Sequence, residues 1–224
     1  MKHVINAAVT TSLALFATSA FAEGELTRPR YNFAELDYVY GVVQPQSDSL
    51  SAQQNNDNYY VPESAEVRGS WVFYDELLVR GSYYTGSGKY KSTNDIDSSS
   101  LLVSAGWLPP TADSTGIDIS FDYRADNFQF DRKKNKLDED INGPGISVGV
   151  RTSPFQNTEF GVRLGWYEGD YDGAVGVAVN AAYDFADNWG VNVFWENISA
   201  DSIDSGALSS YELNKWGIGG RYYF

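Results

Sequence analysis

The chain has 224 residues, no cysteine, and a formal net charge of −14 at pH 7. That acidity excludes nucleic acid as a partner, because phosphate backbones are held by lysine and arginine. The lack of cysteine excludes disulfides as the stabiliser, so backbone hydrogen bonds and packing must carry the fold.

The first element is a leader. Lys2 and His3 make a short positive start, and Ala7 to Phe16 is mostly apolar. Ala20-Phe21-Ala22 then gives the small-x-small site of a signal peptidase, ahead of Glu23. We expect residues 1–22 to be a cleaved secretory signal and 23–224 to be one domain. No later stretch is long and apolar enough to cross a membrane as a helix. In a membrane barrel, however, only alternate residues meet lipid, and 16 Tyr and 6 Trp suit its two interfaces.

Ten segments show period two over a length that crosses a bilayer as a tilted strand. The first, about Tyr31 to Val43, sets Ala34, Leu36, Tyr38, Tyr40 and Val42 outward. The second, about Ser64 to Phe73, sets Val67, Trp71 and Phe73 outward against Glu66, Arg68 and Ser70. A turn at Tyr74-Asp75-Glu76 leads to the third, with Leu77, Val79 and Tyr83 opposing Arg80 and Ser82. The fourth carries Leu101, Val103 and Trp107 and stops at Pro109-Pro110. In the fifth, Ile117, Ile119, Phe121 and Tyr123 interleave with Asp118, Ser120, Asp122 and Arg124. The sixth sets Ile146, Val148 and Val150 against Arg151, and the seventh Phe160, Val162, Leu164 and Trp166 against Arg163. The eighth runs Val175 to Phe185 with Asp184 inward. The ninth sets Val191, Val193 and Trp195 against Glu196. The tenth sets Trp216, Ile218, Gly220, Tyr222 and Phe224 against Lys215, Gly217, Gly219, Arg221 and Tyr223.

None of these outward residues is charged, as expected where a charge at mid-bilayer costs ~2–4 kcal/mol. The connections alternate, short near residues 74, 113, 154 and 187 and long over 44–63, 86–99, 127–143 and 198–210; only that near 168–173 breaks the pattern. The reading is all-β: an antiparallel up-and-down transmembrane β-barrel of ten strands, with eight as the alternative count. Both termini are expected on the periplasmic side.

On these strands and the leader, the chain resembles small Gram-negative outer-membrane β-barrels, the broad family of OmpA-type transmembrane domains and porin-family small barrels. Its closing Gly219-x-x-Tyr222-x-Phe224 is similar to that family's assembly signal. The resemblance implies a cell outer-membrane location, contact with outer-membrane lipid and lipopolysaccharide, and delivery by the barrel-assembly machinery. It also implies that barrel enzymes of this size rely on a histidine, and the only histidine here is His3. Asp118 and Asp122 share a strand face but stand roughly 13 Å apart, too far to act as a pair. No enzyme activity and no cofactor are expected.

The interior phase collects seven carboxylates, Glu35, Asp37, Glu66, Asp118, Asp122, Asp184 and Glu196. It collects seven cations, Arg68, Arg80, Arg124, Arg151, Arg163, Lys215 and Arg221. In a lumen only ~20 Å across, these read as a salt-bridged core or as a narrow mixed-charge path. Closure of strand ten on strand one places Lys215 and Arg221 opposite Glu35 and Asp37. The acids Asp201 and Asp204, and Glu168, Asp170 and Asp172, lack the spacing of a calcium loop, so no metal is expected. Gln53 to Tyr60, and Arg132 to Lys136 followed by Asp138 to Asp140, read as solvated loops or as a contact surface for a host or envelope partner. Two functions stay open: a structural or narrow-passage barrel, and a surface interaction protein acting through its loops.

Overall fold

The computed structural model describes residues 29–46, 58–90, 94–110, 114–131, 136–171, 173–200 and 208–224. The leader, residues 53–57, 132–135 and 201–204, and Asp172 lie outside them. Ten strands follow in order: β1 (Phe33–Gln46), β2 (Tyr59–Phe73), β3 (Leu77–Tyr90), β4 (Asn94–Trp107), β5 (Thr115–Asp131), β6 (Lys136–Phe155), β7 (Thr158–Tyr167), β8 (Ala174–Ala186), β9 (Trp189–Ala200) and β10 (Ser210–Tyr223). Each pairs antiparallel with its chain neighbours, and β10 returns to β1 from Phe33↔Tyr223 to Gln46↔Ser210. The sheet is therefore a closed barrel without free edges, the one β arrangement that satisfies every backbone group in lipid.

At the end where β1 begins and β10 finishes, the β2–β3, β6–β7 and β8–β9 turns are tight. Tyr74, Asp75 and Asn157 adopt left-handed φ of 51°, 62° and 65° there. The ladder shifts register between Val39 and Gly41 opposite Pro62, and between Thr152 and Phe155 beside Pro154. Both prolines sit where a missing N–H costs no regular rung.

The outer wall carries a band of exposed apolar side chains, among them Leu36, Val67, Val103, Phe121, Val148 and Ile218. Aromatic rings border it on both sides. Trp71 packs on Phe73 and Phe224, and Trp189 on Tyr222, at the end with the tight turns; Tyr40 contacts Tyr60 and Trp216 at the other. A contiguous surface of this kind is stable against lipid and not against water.

The long connections are the main departure from expectation. β2 begins at Tyr59, β3 reaches Tyr90, β5 reaches Asp131 and β6 starts at Lys136, so much of each expected loop is strand. The strands stand above the aromatic border, and there their polarity inverts. In β5 the inward positions change from Asp118, Asp122 and Arg124 to Phe128 and Phe130, while the outward ones change from Phe121 and Tyr123 to Asn127 and Gln129. In β10, Tyr211 and Leu213 point in while Glu212 and Asn214 point out. This extension encloses an apolar core that includes Tyr59, Val61, Ile96, Phe128, Phe130, Ile141, Tyr171, Ile198, Tyr211 and Leu213.

Candidate functional site: the barrel lumen

Alternation places the charged residues inside, and the closure of β10 on β1 links them. Arg221 is in register with Glu35 and hydrogen-bonds to it through Nε. Its Nη1 donates to Glu159 Oε1 at 2.8 Å, and Arg151 reaches the same oxygen at 3.4 Å. Glu35 also lies 3.2 Å from Arg68, which donates to Asp37 at 2.8 Å and lies 3.9 Å from Glu66. Lys215 then joins Glu66 at 2.9 Å to Glu196 at 3.1 Å. Arg124 joins Glu196 at 3.0 Å to Asp126 at 2.9 Å. Asp126 in turn accepts the hydroxyls of Tyr171 and Tyr211. The contacts form one unbroken ladder from Arg151 at the turn end to the apolar core at the long-loop end. A second group bridges the opposite wall, where Asp118 takes Arg80 at 3.0 Å and Arg163 at 2.7 Å.

Aromatic faces support the cations. Arg68 stacks 3.8 Å from the Phe194 ring centroid, Arg221 stands 4.4 Å from Phe33, and Lys215 stands 5.0 Å from Tyr84. Close approach dictates two glycines here. A Cβ on Gly217 would meet the Phe194 ring, and one on Gly41 would lie 2.6 Å from the Tyr84 hydroxyl.

Several pairings differ from the expectation. Arg221 faces Glu35, but Asp37 lies opposite Gly219 and bonds to Arg68, and Lys215 lies opposite Gly41 on β1, pairs with its register partner Glu196 on β9 and reaches past β1 to Glu66. Asp122 is buried, and neither of its oxygens has a hydrogen-bond partner. Asp184 stands apart at the turn end, 3.7 Å from Arg30. Of the assembly-signal residues, Tyr222 and Phe224 lie on the outer wall and Gly219 takes an inward position three residues before Tyr222.

Four partners in this lumen escaped the sequence reading. Asp126 is the next inward position after Arg124, and Glu159 the inward position before Gly161, so carrying the phase one step further at each strand end reaches both. Tyr171 sits in the β7–β8 connection between Gly169 and Gly173, whose φ of 93° and 92° turn it inward to donate to Asp126 and to the Ile141 carbonyl. Burial and the nearby Asp126 carboxylate push its hydroxyl pKa well up, so it stays a donor. The fourth is the segment ahead of β1, which crosses the mouth at the turn end. The Arg30 amide donates to Glu159, its guanidinium donates to the Asp187 carbonyl and lies 3.8 Å over the Tyr223 ring, and Tyr31 is buried beneath it.

A cavity of about 120 Å³ lies at mid-lumen among Arg68, Arg80, Arg163, Ala178 and Glu196. A wider recess of about 610 Å³ lies outside the Pro29–Asn32 strap at the turn-end mouth. Among the described residues, no group of histidine, cysteine or carboxylates could hold a metal ion.

No family model matches the chain, and no curated protein matches it. Solved structures do. The outer-membrane protease OmpT from Escherichia coli superposes with a TM-score of 0.55 at 11% identity, over 90% of this chain and 99% of that one. The chain has the fold of a small outer-membrane β-barrel. Neisserial surface protein A (TM-score 0.48, 11% identity, 86% of this chain and 96% of that one) and the KdgM porin (0.40, 12%, 85% and 99%) are also similar. At these identities the likeness concerns the fold alone.

Proposed function

We propose that this barrel is an integral outer-membrane protein whose lumen is closed, so that it serves the envelope as a structural element and not as a solute pore. The observation that carries this reading is the unbroken ladder from Arg151 to Asp126, capped at the long-loop end by the apolar core. Ion pairs that bridge facing walls fill the path a hydrated solute would take, and an apolar layer above them repels ions. In this reading the turn end with both termini faces the periplasm, the leader is cleaved on export, and the closing strand presents Gly219, Tyr222 and Phe224 to the assembly machinery. The aromatic borders and the apolar band rest in lipid and lipopolysaccharide. The protein is not an enzyme, in keeping with a sequence whose one histidine is His3.

The test is conductance of the refolded full chain in planar bilayers. A silent membrane is the expected result; reproducible single-channel steps from the wild-type protein would overturn the closed lumen.

A second reading has its own support. Above the aromatic border the outer wall is polar and acidic, with Asn127 donating to Asp138 at 3.2 Å and Asp140 at 2.6 Å, and Asn197 to Glu212 at 2.9 Å. This collar carries the outer ends of the strands beyond the lipid band, the placement expected of a protein that contacts a host or envelope partner through its outer end. Shortening the β5–β6 hairpin above the border is expected to abolish surface adhesion while leaving the barrel folded; adhesion that survives the truncation removes this reading.

A further inference from the structure

The mid-lumen cavity has a wall of unequal charge. Five arginines line it against three carboxylates. The carboxylates that balance the remaining arginines stand behind them. Asp118 lies between Arg80 and Arg163, Asp37 lies behind Arg68, and neither acid keeps any accessible side-chain surface. The arginines do: 20% of the Arg68 side chain, 11% of Arg80 and 19% of Arg163 remain accessible, with the apolar core above them and the Pro29–Asn32 strap at the turn end. By contrast, Arg124, Lys215 and Arg221, which do the ladder's bridging, are covered almost completely. Of the lining carboxylates, Glu35 and Glu66 are covered and Glu196 keeps 16% of its side chain accessible, so three guanidinium groups and one carboxylate share the surface offered to the cavity.

Each guanidinium carries five N–H donors in a fixed fork. Arg80 uses Nη1 toward Asp118 and Nη2 toward Ser120; Arg163 uses Nη1 toward Ser147 and Nη2 toward Asp118; Arg68 uses Nε and Nη2 toward Asp37. Donors are left over on all three. A volume of about 120 Å³ holds on the order of four waters. That is too little for a sugar or a nucleotide, and enough for one small anion with part of its hydration shell.

We propose that this cavity binds a small monovalent inorganic anion of the chloride or nitrate class, held among Arg68, Arg80 and Arg163. The bound anion occupies the donors that the wall carboxylates leave unused and ties β2, β3 and β7 together across the lumen. The proposal rests on the closed lumen proposed above, and the two fail separately. Channel steps in a bilayer would refute the seal, whereas anion binding is read from stability.

The experiment measures the urea midpoint of the folded full chain in detergent, at constant ionic strength, as chloride replaces gluconate. A ligand that binds only the folded state raises stability logarithmically above its dissociation constant. Wild type is expected to gain little at low chloride and then to rise with the logarithm of its concentration, and nitrate is expected to reproduce this. Ala178→Leu fills the cavity beside Arg163 and Glu196 without removing a charge and is expected to lose the response. If that variant does not fold, Arg163→Gln is measured in its place with the same expectation. A chloride response of equal size in wild type and variant, or none in wild type beyond that of gluconate, would mean that the cavity holds only water.

Discussion

Replacing Lys215 by methionine removes the one ammonium that links β10 to both β2 and β9. Its Nζ lies 2.9 Å from Glu66 and 3.1 Å from Glu196, with the lysine and Glu66 side chains almost fully covered. At an effective dielectric constant near 20, each contact amounts to about 5–6 kcal/mol before desolvation, most of which desolvation of the three ions cancels. What the mutation exposes is the imbalance. Glu196 keeps Arg124 at 3.0 Å, but Glu66 is left with Arg68 at 3.9 Å as its nearest cation. Loss of one partner from a buried pair costs about 3–5 kcal/mol, and that loss is expected for Lys215→Met in reversible urea unfolding followed by tryptophan fluorescence and by the unheated gel band. The sharper test is the sign of Glu66→Gln. In wild type it removes a partner from Lys215 and destabilises; in the Lys215→Met background it removes an uncompensated charge and recovers roughly 1–2 kcal/mol. A Lys215→Met loss under about 1 kcal/mol, or a Glu66→Gln cost of the same sign in both backgrounds, would refute the ladder as the element that holds these strands in place.

Two further outcomes test the ends of the lumen. Burial under the strap pushes the Tyr31 phenol up to about 12, partly opposed by Arg151. An unfolded tyrosine titrates near 10, so the stability this group contributes is complete below pH 10 and is lost as pH rises from 10 through 12. The wild type should therefore lose up to about 3 kcal/mol relative to Tyr31→Phe across that window; parallel stability profiles for the two proteins would place Tyr31 in water. At the other end, Tyr171→Phe breaks the hydrogen bonds to Asp126 and to the Ile141 carbonyl. A cost of about 1–3 kcal/mol is expected, with faster amide exchange in the β7–β8 connection, and a midpoint unchanged within about 0.5 kcal/mol would remove Tyr171 from the cap.

The barrel was legible because ten segments alternate with an uncharged outward face, a pattern that only lipid on one side and a polar interior on the other imposes together. The height of the strands was not legible, for a reason visible in β5. From Ala125 to Asp131 the alternation continues with its sign reversed, apolar in and polar out, and a reader following apolar-outward residues loses the strand at Tyr123. The inward charges were readable from phase alone. Their pairing was not, because partner choice depends on strand tilt and on reach across the lumen. Asp37 lies beside Gly219 in register yet bonds to Arg68 on the other neighbour, and Lys215 has no charged partner in register on β1. Tyr31 and Asn32, expected to open the first strand, belong instead with Pro29 and Arg30 to the strap ahead of β1, which its contacts with Glu159, Asp187 and Tyr223 reveal.

The inversion of polarity also supports the closed lumen proposed above. Within the lipid band the barrel is apolar outside and ionic inside. Above the band the same strands stand in water, and a sheet in water must bury its apolar face, so the inside becomes the core. The tyrosines occupy the seam between the two regimes. Tyr84 lies over Lys215, and Tyr171 and Tyr211 place their rings in the apolar core and their hydroxyls on Asp126. A channel through this end would have to separate Tyr59 from Phe130 and Phe128 from Tyr211, whose ring centroids are 5.3 and 4.9 Å apart. Exposing four such side chains costs on the order of 10 kcal/mol at about 2–3 kcal/mol each. With a factor of ten in population for each 1.4 kcal/mol, thermal opening by this route is negligible. The closure is therefore the fold of the extension itself, and no change confined to the ionic ladder is expected to open it.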